Sequence, residues 1–162
     1  MKRLNIALVI LFHIPLALHA GGGKNNFRVY ISDNHNLQFE ARNYLVTNDS
    51  LVITALSDNG KSNVNYLRRA LTADEKKSMV QFMKEFPISK LNELYFKDYA
   101  NLGYISPDHY PRVIDMELES ADLKKKVRVN NIFVPRFAEL FSQVNKLLPQ
   151  EVKIKYEEEQ FK

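Results

Sequence analysis

The side chains with the widest chemical range cluster in one irregular stretch, Phe96 to Pro111, which holds Tyr99, Tyr104 and Tyr110 with Asp98, Asp108 and His109. A tyrosine offers a flat apolar face and a hydroxyl tip. Three of them in a loop of this length describe a stacking and hydrogen-bonding surface for a glycan, a peptide or a partner protein. The competing reading has the same tyrosines pinning a long crossover to the core. Tyr99, Tyr104, Asp108, His109 and Tyr110 are therefore the candidate ligand- or partner-binding residues.

Catalytic and metal chemistry find less material. His35 and His109 are the only histidines after residue 20, and no Gly-x-Ser-x-Gly turn accompanies them. His35 sits in Asp33-Asn34-His35-Asn36, which reads as a turn. With no Cys, no HExxH and no EF-hand spacing, neither a metal site nor a cofactor is expected, and no catalytic residue is assigned. Paired carboxylates depend on spatial separation rather than on spacing in sequence, so a small periplasmic hydrolase using loop carboxylates or Asp108 and His109 stands as the alternative.

The chain begins with Lys2 and Arg3, followed by an apolar run from Leu4 to Leu18 and then Ala20, Gly21, Gly22 and Gly23. Basic start, short apolar stretch and small residues together read as a signal peptide, residues 1–20, cut after Ala20 or alternatively after Gly22. The run falls short of the roughly 20 residues of a membrane span. The expected location is the periplasm or the exterior, and the lack of Cys excludes a lipobox, so no stable membrane anchor is expected after cleavage. Cleavage would leave 21 basic against 19 acidic residues, too even a balance for nucleic acid.

The elements that must position these residues follow from patterning. After a leader over 21–26, Phe27, Val29 and Ile31 alternate as a strand. With Ser32 to Asn36 as the connecting loop, Ile31 would face Leu37 and Val29 Phe39, with Arg28 opposite Glu40 and a bulge near Asn43 carrying the pattern into Tyr44 and Val46. Thr47 to Ser50 turns the chain, and Leu51, Ile53 and Ala55 alternate. Asp58-Asn59-Gly60-Lys61 then marks a hairpin placing Val64 opposite Ala55 and Tyr66 opposite Ile53. Thr72 and Glu75 form a capping box at the start of a helix that Pro87 ends, with Ser89 capping a shorter helical turn through Leu91, Leu94 and Tyr95.

A second hairpin is more tightly specified. Ile114, Met116 and Leu118 alternate with Asp115, Glu117 and Glu119, and Lys124, Lys126 and Arg128 alternate with Val127 and Val129. One register puts Glu119 opposite Lys124, Glu117 opposite Lys126 and Asp115 opposite Arg128 while Met116 meets Val127 and Ile114 meets Val129. The basic run is thereby neutralised across the strand. Pro135 opens a second helix with Phe137, Leu140, Phe141, Val144 and Leu148 inward and Arg136, Glu139, Gln143 and Lys146 toward water. Val152, Ile154 and Tyr156 alternate as a last strand, followed by a frayed tail over 157–162. The expected fold is a single α+β domain over 27–156, a mainly antiparallel sheet with two helices on one face.

Over residues 50 to 156 this layout resembles that of small exported bacterial proteins of unknown function. The resemblance is carried by the Leu71-Thr72-Ala73-Asp74-Glu75 helix entry, Leu91…Leu94-Tyr95, the charged hairpin and Asn145…Leu148-Pro149 before a strand. It implies a fold and no particular activity. The expected function is a non-catalytic exported domain that binds a protein or an envelope glycan through the tyrosine-bearing loop or a sheet face. An inhibitor of a secreted enzyme, plugging its partner with Ser32 to Asn36 or Ser57 to Ser62, is a further alternative.

Overall fold

Alternation in strand β1 (Phe27–Asn34) sends Phe27, Val29, Ile31 and Asp33 to one face and Arg28, Tyr30 and Ser32 to the other. The computed structural model, which describes residues 26–34, 41–56, 63–97 and 112–161, places β1 in the middle of a seven-stranded sheet. The other strands are β2 (Ala41–Thr47), β3 (Ser50–Leu56), β4 (Asn63–Ala70), β5 (Leu94–Phe96), β6 (Val113–Ser120) and β7 (Leu123–Asn130), in the spatial order β4-β3-β2-β1-β6-β7-β5. All neighbours are antiparallel except β5 and β7, which run parallel. Helices α1 (Ala73–Glu85) and α2 (Pro135–Asn145) bury Met79, Met83, Phe137, Leu140, Phe141 and Val144 in the core formed with the apolar sheet face. Each such side chain stabilises the fold by about 1.5–3 kcal/mol. The fold is α+β, as the patterning predicts.

The β6–β7 hairpin adopts the predicted register at every named pair. Ser120 pairs with Leu123, so the turn proper is Ala121 and Asp122, and Ala121 takes a φ of 51°. That left-handed conformation costs a residue with a Cβ and favours glycine. At the other end of the sheet, the capping box forms as expected: the Thr72 hydroxyl accepts from Glu75 N at 3.2 Å and the Glu75 carboxylate accepts from Thr72 N at 2.8 Å. The same carboxylate takes both nitrogens of the Arg69 fork, at 2.7 and 2.8 Å, and Arg69 Nη2 reaches the Leu147 carbonyl at 2.8 Å. Arg69 thus ties β4 to the start of α1 and to the chain just past the end of α2.

Elsewhere the structure departs from the sequence pattern. Ser32, Asp33 and Asn34 continue β1 rather than opening a loop, and Val29 faces Val46 and Ile31 faces Tyr44 in place of Phe39 and Leu37. Leu37, Phe39 and Glu40 lie outside the described residues, as does the Asp58 to Lys61 turn. The ladders of β2 run without interruption, so no bulge forms near Asn43. The irregularity lies between β3 and β4, where Ile53 pairs with Leu67 and Thr54 with Asn65, leaving Tyr66 as the extra residue. Val64 meets Ala55 as expected.

Past Pro87 a single 3-10 turn, Ile88–Lys90, suffices to bury Ile88 and Leu91. Leu94 and Tyr95 are then strand, not helix, because the free edge of β7 supplies backbone partners: Arg128 N donates to Glu93 O at 2.8 Å and Lys97 N to Asn130 O at 3.3 Å. Gln143 faces inward, only 7% exposed, since its amide is satisfied at both ends by the Ser78 hydroxyl and the Lys146 ammonium, each 2.8 Å away.

The C-terminal segment keeps the predicted alternation without becoming a strand. Val152, Ile154 and Tyr156 are buried and Lys153 and Lys155 exposed, yet side chains provide the hydrogen bonds. Asn145 accepts from Ile154 N at 2.8 Å and donates to Ile154 O at 2.9 Å, standing in for a neighbouring strand, and the Tyr44 hydroxyl donates to Val152 O at 3.2 Å. The chain does not fray after Tyr156; a 3-10 turn, Glu158–Phe161, folds Phe161 back onto Tyr156 and Phe133, leaving it 8% exposed.

Two expectations test these contacts. The Arg69 fork, with help from the Thr72 backbone, lowers the Glu75 carboxyl from 4.5 to about 2. A depressed folded value means the interaction stabilises above pH 4.5 and is lost as pH falls toward 2. Because the side chain is 24% exposed, the effect is discounted to about 1 kcal/mol. Glu75→Gln is expected to flatten the acid limb of melting temperature against pH within that window. Separately, Ala121→Gly is expected to stabilise by about 0.5 kcal/mol, read from urea midpoints.

Candidate functional site

Tyr99, Tyr104, Asp108, His109 and Tyr110 lie outside the described residues, and so does His35. What the structure describes is the pair of feet from which their segment springs. Phe96 and Val113 both pair with Asn130, at one end of the sheet. Lys97 Nζ donates to the Phe161 carbonyl at 3.4 Å, and Arg112 donates to the Gln160 side chain at 3.2 Å. Both feet of the 98–111 segment are thus fastened to the C-terminal turn.

Arg112 is the stronger fastening. Its Nε and Nη2 grip the two oxygens of Asp33 at 2.9 and 2.6 Å, Nη1 donates to the Lys155 carbonyl at 2.5 Å, and the guanidinium lies 5.7 Å from the Tyr156 ring centre and 5.9 Å from that of Phe161. Both members of the pair are buried. Their sequence signal is parity: Asp33 continues the inward series Phe27, Val29, Ile31, and Arg112 precedes Ile114, Met116 and Leu118 at the same spacing. A charged residue on the apolar parity of a strand requires a buried partner.

The sheet face away from the helices carries a different chemistry. One row across five neighbouring strands reads Val52, Leu45, Tyr30, Glu117, Lys126. Around Tyr30 the charges close on one another. Arg28 Nη1 lies 2.9 Å from Glu117 and 3.5 Å from Glu119, Lys126 lies 3.0 Å from Glu117, and Lys124 lies 2.6 Å from Glu119. Arg128 forks onto Asp115 at 2.7 and 3.0 Å. Beside them the Tyr30 hydroxyl donates to Asn43 at 3.1 Å, and Asn43 donates to Thr54 at 3.4 Å. A shallow depression of about 400 Å³ opens here, bordered by Tyr30, Glu93, Asp115, Glu117, Lys126 and Arg128.

These partners fix what the carboxylates can do. Hydrogen bonds from Arg28 and then Lys126 hold the Glu117 carboxyl below its usual range, the reverse of what a general acid at neutral pH requires. Burial pushes the Tyr156 and Tyr44 phenols up, so neither is a ready anion. Among the described residues no group of three or more His, Cys, Asp or Glu converges to hold a metal ion, and no helix is long and apolar enough to cross a membrane. Sequence reasoning found the acid–base rows of the hairpin but not their extension to Arg28, whose partner was expected to be Glu40.

A second concavity, of about 620 Å³, runs between α2 and the C-terminal segment. Its rim carries Lys146, Lys153 and Lys155, with Glu157 as the one acidic side chain in the lining. Comparison of the sequence with protein-family profiles and with curated proteins returned no significant match.

The Arg112–Asp33 pair makes a direct prediction. Arg112→Met, which strands the Asp33 charge in the core, is expected to cost about 3–5 kcal/mol in urea unfolding. The double change Asp33→Leu with Arg112→Met is expected to recover most of that loss, because no uncompensated charge remains.

Proposed function

We propose that the protein is an exported, non-catalytic binding module whose open sheet face takes an envelope glycan. Export rests on the basic start, the Leu4 to Leu18 apolar run and the small residues after it. The observation that carries the binding reading is the closed charge lattice around Tyr30. Donors and acceptors alternate along the depression, each charge already opposed, so the surface offers many hydrogen bonds and little net field. That combination suits an uncharged polyhydroxyl ligand, whose adjacent hydroxyls pair with carboxylate and guanidinium side by side, while the Tyr30 ring offers a flat apolar edge.

A protein partner recognised by charge would meet a face that has cancelled its own. A hydrolase would need a carboxyl of raised pKa, and the carboxylates here are held by Arg and Lys. The segment bearing Tyr99, Tyr104 and Tyr110 leaves and rejoins the sheet next to this depression, since Val113 stands two residues from Asp115.

The test is retention of the mature chain on an array of soluble oligosaccharides from bacterial envelopes. Binding is expected to persist at high salt, and to weaken at least tenfold in Tyr30→Ala with little change in melting temperature. Tyr30→Phe, which keeps the ring and removes the hydroxyl bond to Asn43, guards against misfolding of the alanine variant. Absence of glycan retention, with a protein captured in its place, would sink the reading.

A further inference from the structure

The concavity between α2 and the C-terminal segment lies on the helix side of the molecule, away from the sheet face, and differs from it in charge. Ala138, Phe141, Ser142 and Asn145 form one wall at helical spacing. The chain from Gln150 to Glu157 forms the other, a 3-10 turn over Gln150–Val152 followed by extended backbone with Ile154 and Tyr156 turned inward and Lys153 and Lys155 turned out, about 6.5–7 Å apart. Lys146, just past the end of α2, closes the rim.

Among the described residues none of these three lysines has an ion-pair partner. Lys146 donates to the Gln143 side-chain oxygen, a neutral acceptor, and Lys153 and Lys155 project from the rim. In the β6–β7 hairpin, by contrast, Lys124, Lys125 and Lys126 each lie within 3.2 Å of a carboxylate. Three ammonium groups stand on one rim whose lining holds Glu157 as its one acidic side chain, and Glu151, Glu158 and Glu159 of the same segment lie outside that lining, so the basic groups focus a positive field into a space of about 620 Å³.

We infer that this concavity is a second binding site, for a small phosphate ester. Lysine engages phosphate as a mobile point charge, and three of them can reach separate oxygens of one group. The Ser142 hydroxyl on the α2 wall adds an uncharged donor, and the volume accommodates an ester of about the size of a sugar phosphate or a lipid headgroup. The wall is rigid, because Asn145 clamps Ile154 through both backbone groups and Arg112 holds the Lys155 carbonyl. The lysine ends are positioned by fixed backbone, which lowers the cost of gathering them.

The test titrates the mature chain with glycerol 3-phosphate and, separately, floats it with vesicles of phosphatidylglycerol or phosphatidylcholine. Saturable amide shifts at Lys146, Lys153, Lys155 and Tyr156 are expected with the free ester, weakened at least tenfold in Lys153→Gln/Lys155→Gln and reduced by salt. Both substituted residues are exposed, so an unchanged melting temperature is expected to accompany the loss. Flotation with phosphatidylglycerol alone, abolished by the double substitution, would assign the phosphate to a lipid headgroup. Neither shifts nor flotation, or either one unaffected by the double substitution, would overturn the site, and none of these outcomes bears on glycan retention by Tyr30.

Discussion

Arg112 joins three parts of the chain through one side chain and its backbone: the end of β1 through Asp33, the start of β6 through its own backbone, and the C-terminal segment through Lys155 and Gln160. A buried guanidinium must satisfy its donors or lose several kcal/mol, so the geometry of all three parts is set by the need to surround it. Asp33 supplies the matching fork, and a backbone carbonyl and an amide take the remaining nitrogen. Tyr156 and Phe161 cover the cation with rings. The C-terminal turn folds back because the pair needs a lid, and the feet of the 98–111 segment are held because the lid also receives Lys97.

This constraint explains which parts of the fold were legible in the sequence. The β6–β7 register could be read because two independent patterns agree on it, apolar pairs on one face and opposite charges on the other, and a slip by one residue would violate both. The β1–β2 register could not, because Leu37 and Phe39 carry the same alternation as Tyr44 and Val46, and both alignments keep the apolar residues on one side. What separates them is Asp33. If β1 ended at Ile31 the aspartate would stand in a turn, whereas its pairing with Arg112 requires two more residues of strand.

Polar residues inside the core account for the remaining differences. Alternation at Val152, Ile154 and Tyr156 reports extended backbone with one buried side, but it says nothing of what bonds the backbone, and here the partner is an amide on a helix. Gln143 sits at a helical position where its charged neighbours face water, and its burial depends on Ser78 of the other helix, which local patterning does not reveal. Leu94 and Tyr95 show the same dependence: three residues take strand geometry because β7 has a free edge. The candidate site divides likewise. The hairpin charges were visible as rows, whereas Arg28 joined them only once the sheet order placed β1 beside β6.

The two concavities differ electrostatically for a reason that lies in the backbone. In an antiparallel ladder every outward residue has a neighbour directly opposite, so a basic row beside an acidic row cancels, and the sheet face of β1, β6 and β7 ends near neutrality. From Lys153 on the C-terminal segment has the same extended geometry, but among the described residues no strand lies beside it, and Asn145, Tyr44 and Arg112 do the work of a ladder. Among the described residues its outward positions thus have no opposing row, and Lys153 and Lys155 keep their field. A strand replaced by side-chain hydrogen bonds turns the same alternating lysines from a register device into an uncompensated charge, directed at whatever anion the space along α2 admits.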